Sequence, residues 1–152
     1  MDAADHPGLV FDHVGIVVRD IAAGCSSLED LLGSLDWTDR FDDAGLKVSV
    51  RFARDASGMV YELIAPYGEG SPVAGALQAR KDLLNQIAYR TRSIAEAARH
   101  LRTTGAVPVS KPHPAVAFGG AHVQFFLSKP GFLIELIEAP EHRHNFNTAA
   151  SR

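Results

Sequence analysis

A single cysteine, Cys25, stands among 152 residues. That excludes an intrachain disulfide and a thiolate-rich metal cluster, and it makes a reducing cytoplasm the expected compartment. Long apolar runs are missing too. None approaches the roughly 20 residues that span a bilayer, and the opening MDAADHPG has neither the cationic start nor the apolar stretch of a signal peptide. A basic surplus is also lacking: 15 Lys and Arg against 18 Asp and Glu leave a formal charge of −3. The cations are scattered, so neither nucleic acid nor a membrane is an expected partner. What is present is ordinary globular usage, 46% hydrophobic and 22% charged, at a length that suits one domain. The expected partner is a small molecule.

An internal repeat organises the chain. A shift of 73 residues lays Arg19 on Arg92, Ile21 on Ile94 and Ala22 on Ala95, and the same shift lays GMVYELI (58–64) over GFLIELI (131–137). Between the blocks, each copy carries a strand-like run followed by a helical one. Helices are expected at 21–32 and 94–101, with Asp20 and Ser93 as N-caps and Gly33 and Gly105 as stops. Ile21, Cys25, Leu28 and Leu32 form one apolar stripe; Ile94, Ala97, Ala98 and Leu101 form the other. Cys25 is therefore read as core. Strands are expected at 35–39, 46–53 and 59–64, then at 107–109, 122–127 and 132–137, with turns at 55–58 and 129–131. The order is β-α-β-β-β, twice. One domain over 1–152 is expected, with module one at about 9–66, a linker at about 67–82 holding a short helical part, module two at about 83–139 and a tail at 140–152.

Four polar residues interrupt otherwise apolar strands: His13 in VFDHVGIVV, Glu62 in MVYELIAP, Gln86 in LNQIAYRT and Glu135 in FLIELIEA. His13 and Gln86 are repeat equivalents, as are Glu62 and Glu135. A carboxylate buried among apolar neighbours costs several kcal/mol unless paired or bound to a cation. One imidazole nitrogen, one amide oxygen and two carboxylates suit a single divalent ion of borderline or hard character, such as Ni, Co, Zn, Mn or Fe.

DHVGIVVRDI, YELIAPYGEGSPV and AVAFGG…VQFF…GFLIELIE resemble the vicinal-oxygen-chelate superfamily, which includes glyoxalase I, methylmalonyl-CoA epimerase, extradiol dioxygenases and bleomycin-resistance proteins. The likeness runs from Phe11 to about Ala139 and points to the glyoxalase and epimerase branch. It implies an α+β fold of two tandem βαβββ modules forming a half-open, U-shaped mixed sheet with helices outside. It also implies metal ligands at His13, Glu62, Gln86 and Glu135, and a homodimer. Two positions depart from the pattern: Gln86 stands where the branch often has His, and Ser49 where the alignment puts an epimerase acid–base Glu. A single imidazole ligand also argues against an extradiol dioxygenase.

The chemistry so implied is removal of a proton α to a carbonyl through an enediolate, on a small thioester or hemithioacetal, with Glu135 as both ligand and base. Residues two apart on a strand share a face, so Ser49 with Arg51, and their repeat equivalents His122 with Gln124, are candidates to line a substrate cleft. Phe118, in the Gly-rich stretch KPHPAVAFGG, is another, covering substrate or merely packing. His6, His100, His142 and His144 are set aside as terminal or helix-surface residues. The alternative is a metal-free protein of the bleomycin-resistance type that sequesters a small molecule.

Overall fold

The computed structural model describes residues 7–81 and 83–147; His6, Asp82 and the last five residues lie outside them. The chain divides into two compact units, one of His13–Asn85 with the tail from Arg143, the other of the stretch up to Asp12 with Gln86–His142. Each carries one copy of the repeat.

The first copy runs β1 (Val10–Val17), α1 (Ile21–Leu32), β2 (Asp36–Trp37), β3 (Phe41–Asp43), β4 (Val48–Arg54) and β5 (Val60–Pro66), followed by the short helix α2 (Ala74–Ala79). The second runs β6 (Leu84–Arg90), α3 (Ile94–Thr103), β7 (Val107–Pro108), β8 (His113–Pro114), β9 (His122–Leu127) and β10 (Leu133–Ile137). Pairing repeats as the sequence does. In the first copy the order is β2-β4-β5-β1 with β3 also on β4; in the second it is β6-β10-β9-β7 with β8 also on β9. The outer strand of each copy runs parallel to its last strand, β1 to β5 and β6 to β10, and the hairpins β4/β5 and β9/β10 are antiparallel. The α+β class follows the repeat, and each copy is the expected βαβββ with one further short strand, β3 or β8.

Both helices begin where a side chain can take up free backbone N–H groups. Asp20 Oδ1 accepts from Ala22 at 2.7 Å and Ala23 at 3.3 Å. Ser93 Oγ accepts from Glu96 at 3.2 Å, and Glu138 reaches Ile94 N at 2.8 Å. Gly33, at φ 84°, ends α1 in a conformation that a side chain would strain. The apolar stripes are then buried, except that Leu32, in the last turn of α1, is 39% exposed: Ile21 and Leu28 lie against Leu35, Trp37, Ala53, Leu63 and Ala65, and Ile94, Ala97, Ala98 and Leu101 against Ala106, Phe126, Ile134 and Leu136. Each fully buried aliphatic side chain contributes about 1.5–3 kcal/mol. Helix α1 lies close, since a Cβ on Gly24 would stand 3.0 Å from Val18. Cys25 packs at the edge of this core, and burial pushes its thiol pKa up.

Strands β3 and β8 were not expected, and β2 is shorter than 35–39. All three are edge pieces of two or three residues, including Asp42, Asp43 and Pro114, which strand propensity disfavours. They form because β4 and β9 offer open hydrogen-bonding edges. Among the described residues no helix is long and apolar enough to cross a membrane.

The turn between β4 and β5 hangs on Asp55. Its Oδ1 accepts from Ser57 N at 2.9 Å, Ser57 Oγ at 2.6 Å and Met59 N at 3.0 Å, while Oδ2 accepts from the Tyr61 hydroxyl at 3.0 Å. These bonds, that of the Ser57 hydroxyl foremost, hold the carboxyl below its ordinary 3.8. A depressed folded value means stability that is present above 3.8 and lost as the pH falls through the folded value. Asp55→Ala is therefore expected to lower the thermal midpoint at neutral pH, with the gap to the parent closing in melts recorded below that range.

Candidate metal centre

In the first unit, β1 lies parallel to β5 with Gly15 beside Glu62. Strand alternation then puts His13, Gly15 and Glu62 on one face, with Phe52 of β4 opposite Glu62. Val14 and Ile16, beside Tyr61 and Leu63, take the other face toward α1. His13 is fully buried and Glu62 is 5% exposed. The His13 Nε2 stands 3.6 Å from Glu62 Oε1, and its ring meets Phe52 edge-on at 5.2 Å. That separation is beyond a good hydrogen bond but suits two donors on one ion, since bonds of about 2.1 Å put neighbouring ligand atoms roughly 3–4 Å apart.

The second unit repeats the plan. Parallel pairing of β6 with β10 sets Ala88 beside Glu135 and Gln86 beside Leu133. Gln86 and Glu135 share a face and are 5% and 4% exposed, while Ile134 and Leu136 point into the α3 core. Gln86 Nε2 donates to Glu135 Oε1 at 3.3 Å. With the NH2 so engaged, the amide oxygen is the atom left to face a cation. Gly15 and Ala88, each beside a Glu, are themselves repeat equivalents. A small residue there leaves room for the carboxylate to turn. Each pair thus carries the donor chemistry of half the expected ligand set.

The proposed substrate residues fall elsewhere. Ser49 pairs with Ala65 and Arg51 with Leu63, so both occupy the face of β4 turned away from Phe52 and Glu62. Ser49 donates to Asp42 Oδ1 at 2.6 Å and accepts from Arg40 at 3.1 Å; the Ser49 bond first, and then Arg40's own bond to Asp42 at 2.9 Å, hold the Asp42 carboxyl below its usual range. Arg51 donates to the Thr38 carbonyl at 2.8 Å and lies over the Trp37 ring at 5.1 Å. On β9, Gln124 pairs with Leu136, again opposite to the face of Phe125 and Glu135. Its amide donates to the Ser110 carbonyl at 2.9 Å, and His122, on that same face, is exposed. These four thus lie on the strand face opposite the carboxylate of their unit. The residues of β4 that do share the face of Glu62 are Val48, Val50, Phe52 and Arg54. Phe118 is buried in a 3₁₀ turn, packed against the His142 ring at 4.8 Å.

Two contacts had no forecast. Asp12, buried beside His13 in the chain, pairs with Arg90 at 3.1 Å, and Arg90 also donates to the Pro140 carbonyl at 2.6 Å. The tail residue His144 stacks on Phe52 at 4.2 Å and meets the His13 ring edge-on at 6.2 Å. A signal existed for the latter: His142, His144 and Phe146 alternate with polar residues as a strand would.

The sequence pattern of the Glyoxalase/Bleomycin resistance protein/Dioxygenase superfamily matches residues 12–125. The chain belongs to this superfamily. The matched span takes in His13, Glu62 and Gln86 and stops short of Glu135. Among superfamily relatives, an ethylmalonyl-CoA/methylmalonyl-CoA epimerase of Cereibacter sphaeroides is 30% identical over 128 residues, 82% of this chain and 94% of that one. The crystal structure of methylmalonyl-CoA epimerase from Mycobacterium tuberculosis superimposes with a TM-score of 0.69 at 27% identity, over 84% of this chain and 85% of that one. A hypothetical protein of Bacillus halodurans gives 0.72 at 29% identity, over 90% and 99%.

The placement of Arg51 separates a structural from a substrate role. Arg51→Ala is expected to cost about 1–2 kcal/mol in denaturant unfolding, through the lost carbonyl bond and ring packing. Affinity for any ligand of the superfamily cleft is expected to stay unchanged.

Proposed function

We propose that the chain is an epimerase-like isomerase moving the proton α to the carbonyl of a small acyl-CoA thioester, with one divalent ion held by His13, Glu62, Gln86 and Glu135. The observation that carries this reading is the doubled pair: a nitrogen or amide donor and a carboxylate, buried at equivalent register positions of both units. The names of the relatives, epimerases of ethylmalonyl- and methylmalonyl-CoA, supply the substrate class and favour isomerisation over the glyoxalase reaction.

When bound, a divalent ion supplies positive charge that lowers the cost of negative charge on the carbonyl oxygen, and Ni, Co, Zn, Mn and Fe all suit the donor set. Glu135 takes the α-proton on a carboxylate oxygen, and a proton from water returns to the opposite face of the α-carbon to complete the inversion. Gln86 orients that carboxylate through its N–H bond. His13 and Glu62 complete the set. Val48, Val50 and Phe52, which share the face of Glu62, give that face an apolar wall that excludes water and strengthens electrostatic interactions nearby. None of these three can exchange a proton, so they contribute shape and not acid–base chemistry. The proposal includes a homodimer in the cytoplasm, which sedimentation of the purified chain checks.

Untagged protein is expected to take up one Co, Ni, Zn or Mn ion per chain, and Glu135→Ala to abolish uptake at micromolar metal. In D2O, the loaded protein is expected to exchange the α-hydrogen of malonyl-type acyl-CoA thioesters. Glu135→Gln is expected to slow exchange by at least about 100-fold, the usual contribution of a placed acid–base group. A chain that binds these thioesters but exchanges none is a sequestering protein, and the isomerase reading is then wrong.

A further inference from the structure

Strand pairing in the second repeat lays its side chains out in rows. Across β6, β10, β9 and β7 one row reads Gln86, Leu133, Leu127 and Val107, and the next begins Ala88, Glu135 and Phe125. Partners across a ladder share a face, as do residues two apart along a strand, so both rows lie on the side of Glu135. The third row, Arg90, Ile137 and Val123, closes that face at one end. Ile137 and Val123 are wholly buried there, and Arg90 is tied to Asp12 and to the Pro140 carbonyl. The other end is open. Phe125 and Leu133 are half-buried, Leu127 is 38% exposed and Val107 is 51% exposed.

We propose that the strip of Phe125, Leu133, Leu127 and Val107 receives the α-substituent of the substrate, and that the chain favours malonyl-type thioesters bearing a longer alkyl chain, such as butyl, or an aryl ring over those bearing methyl or ethyl. This deepens the isomerase reading above and rests on it. Phe125 stands directly across the ladder from Glu135, so the strip begins at the carboxylate that takes the proton. The placement that brings the α-hydrogen to Glu135 therefore brings the other groups of the α-carbon to the strip. With Ile137 and Val123 closing one end, a substituent grows only toward Leu127 and Val107. Rows two residues apart along a strand are separated by about 6.8 Å, a span that butyl covers and methyl does not. All four side chains are hydrocarbon, which suits a group with no hydrogen bonds to satisfy and not the amides of the pantetheine arm that every CoA thioester shares. Their exposed area, on the order of a few hundred Å², is well short of the roughly 800 Å² per partner that a stable dimer buries, so a small group fits the strip better than a second chain.

The test compares kcat/KM for α-hydrogen exchange of butylmalonyl-CoA and methylmalonyl-CoA in D2O, with Co(II) added. It uses the full chain and the double variant Leu127→Asn, Val107→Thr, which makes two exposed positions polar at nearly constant volume. The parent is expected to favour butyl by about eightfold: about twofold for each of three added methylenes, since a one-sided contact realises about half the free energy behind the roughly fourfold of full burial. The variant is expected to lose at least half of that preference. A parent ratio below about twofold overturns the proposal, while exchange of methylmalonyl-CoA leaves the isomerase reading standing. A preference that survives unchanged in the variant is set elsewhere and overturns it too. Sedimentation of both proteins covers the other occupant: a variant that loses self-association shown by the parent assigns the strip to a second chain, and the proposal falls. If neither thioester exchanges, the isomerase reading itself is overturned, and this one with it.

Discussion

Everything in the two units depends on the period of two along β1, β5, β6 and β10. Each strand must present an apolar face to a helix and, one residue on, a polar donor to the other side. Leu63 and Glu62 are neighbours in the chain but belong to opposite chemistries, as are Leu136 and Glu135. Slipping one strand by a single residue would bury a carboxylate under α1 or α3 and expose a leucine. The hydrophobic stripe of the helix therefore fixes where the donors can point. The core and the candidate site are two readings of one register.

Much of this is legible before folding. The helix ends were legible because Asp20, Ser93 and Gly33 carry local chemistry that acts within one turn. The four donors were legible because an ionisable residue inside an apolar strand is anomalous in any register. The face taken by Ser49, Arg51, His122 and Gln124 was not legible because their strands mix polar and apolar residues on both faces, so that neither phase is excluded until the partner strand is known. Arg51 shows the difficulty well. Its charge reads as an anion site, yet its guanidinium satisfies a carbonyl and covers Trp37.

The tail was misread for a different reason. Its contacts with Phe52, Arg54 and Trp37 join residues about 90 to 110 positions apart, and no local rule weights such a pairing. Arg90 is comparable, tying Asp12 near the start to Pro140 near the end of the second copy. The tail and Pro140 lie beyond the matched span, which ends at residue 125, whereas Asp12 and Arg90 lie within it.

The units also exchange ends. The unit built on the first repeat takes in the chain's last stretch, and the one built on the second takes in its first strand up to Asp12. During synthesis, the first repeat can form its hairpin and bury α1 while the second is still unmade, but its Phe52 surface is covered by His144 only once the stretch from Arg143 has been made. A chain cut between the copies would leave that cover on the other fragment.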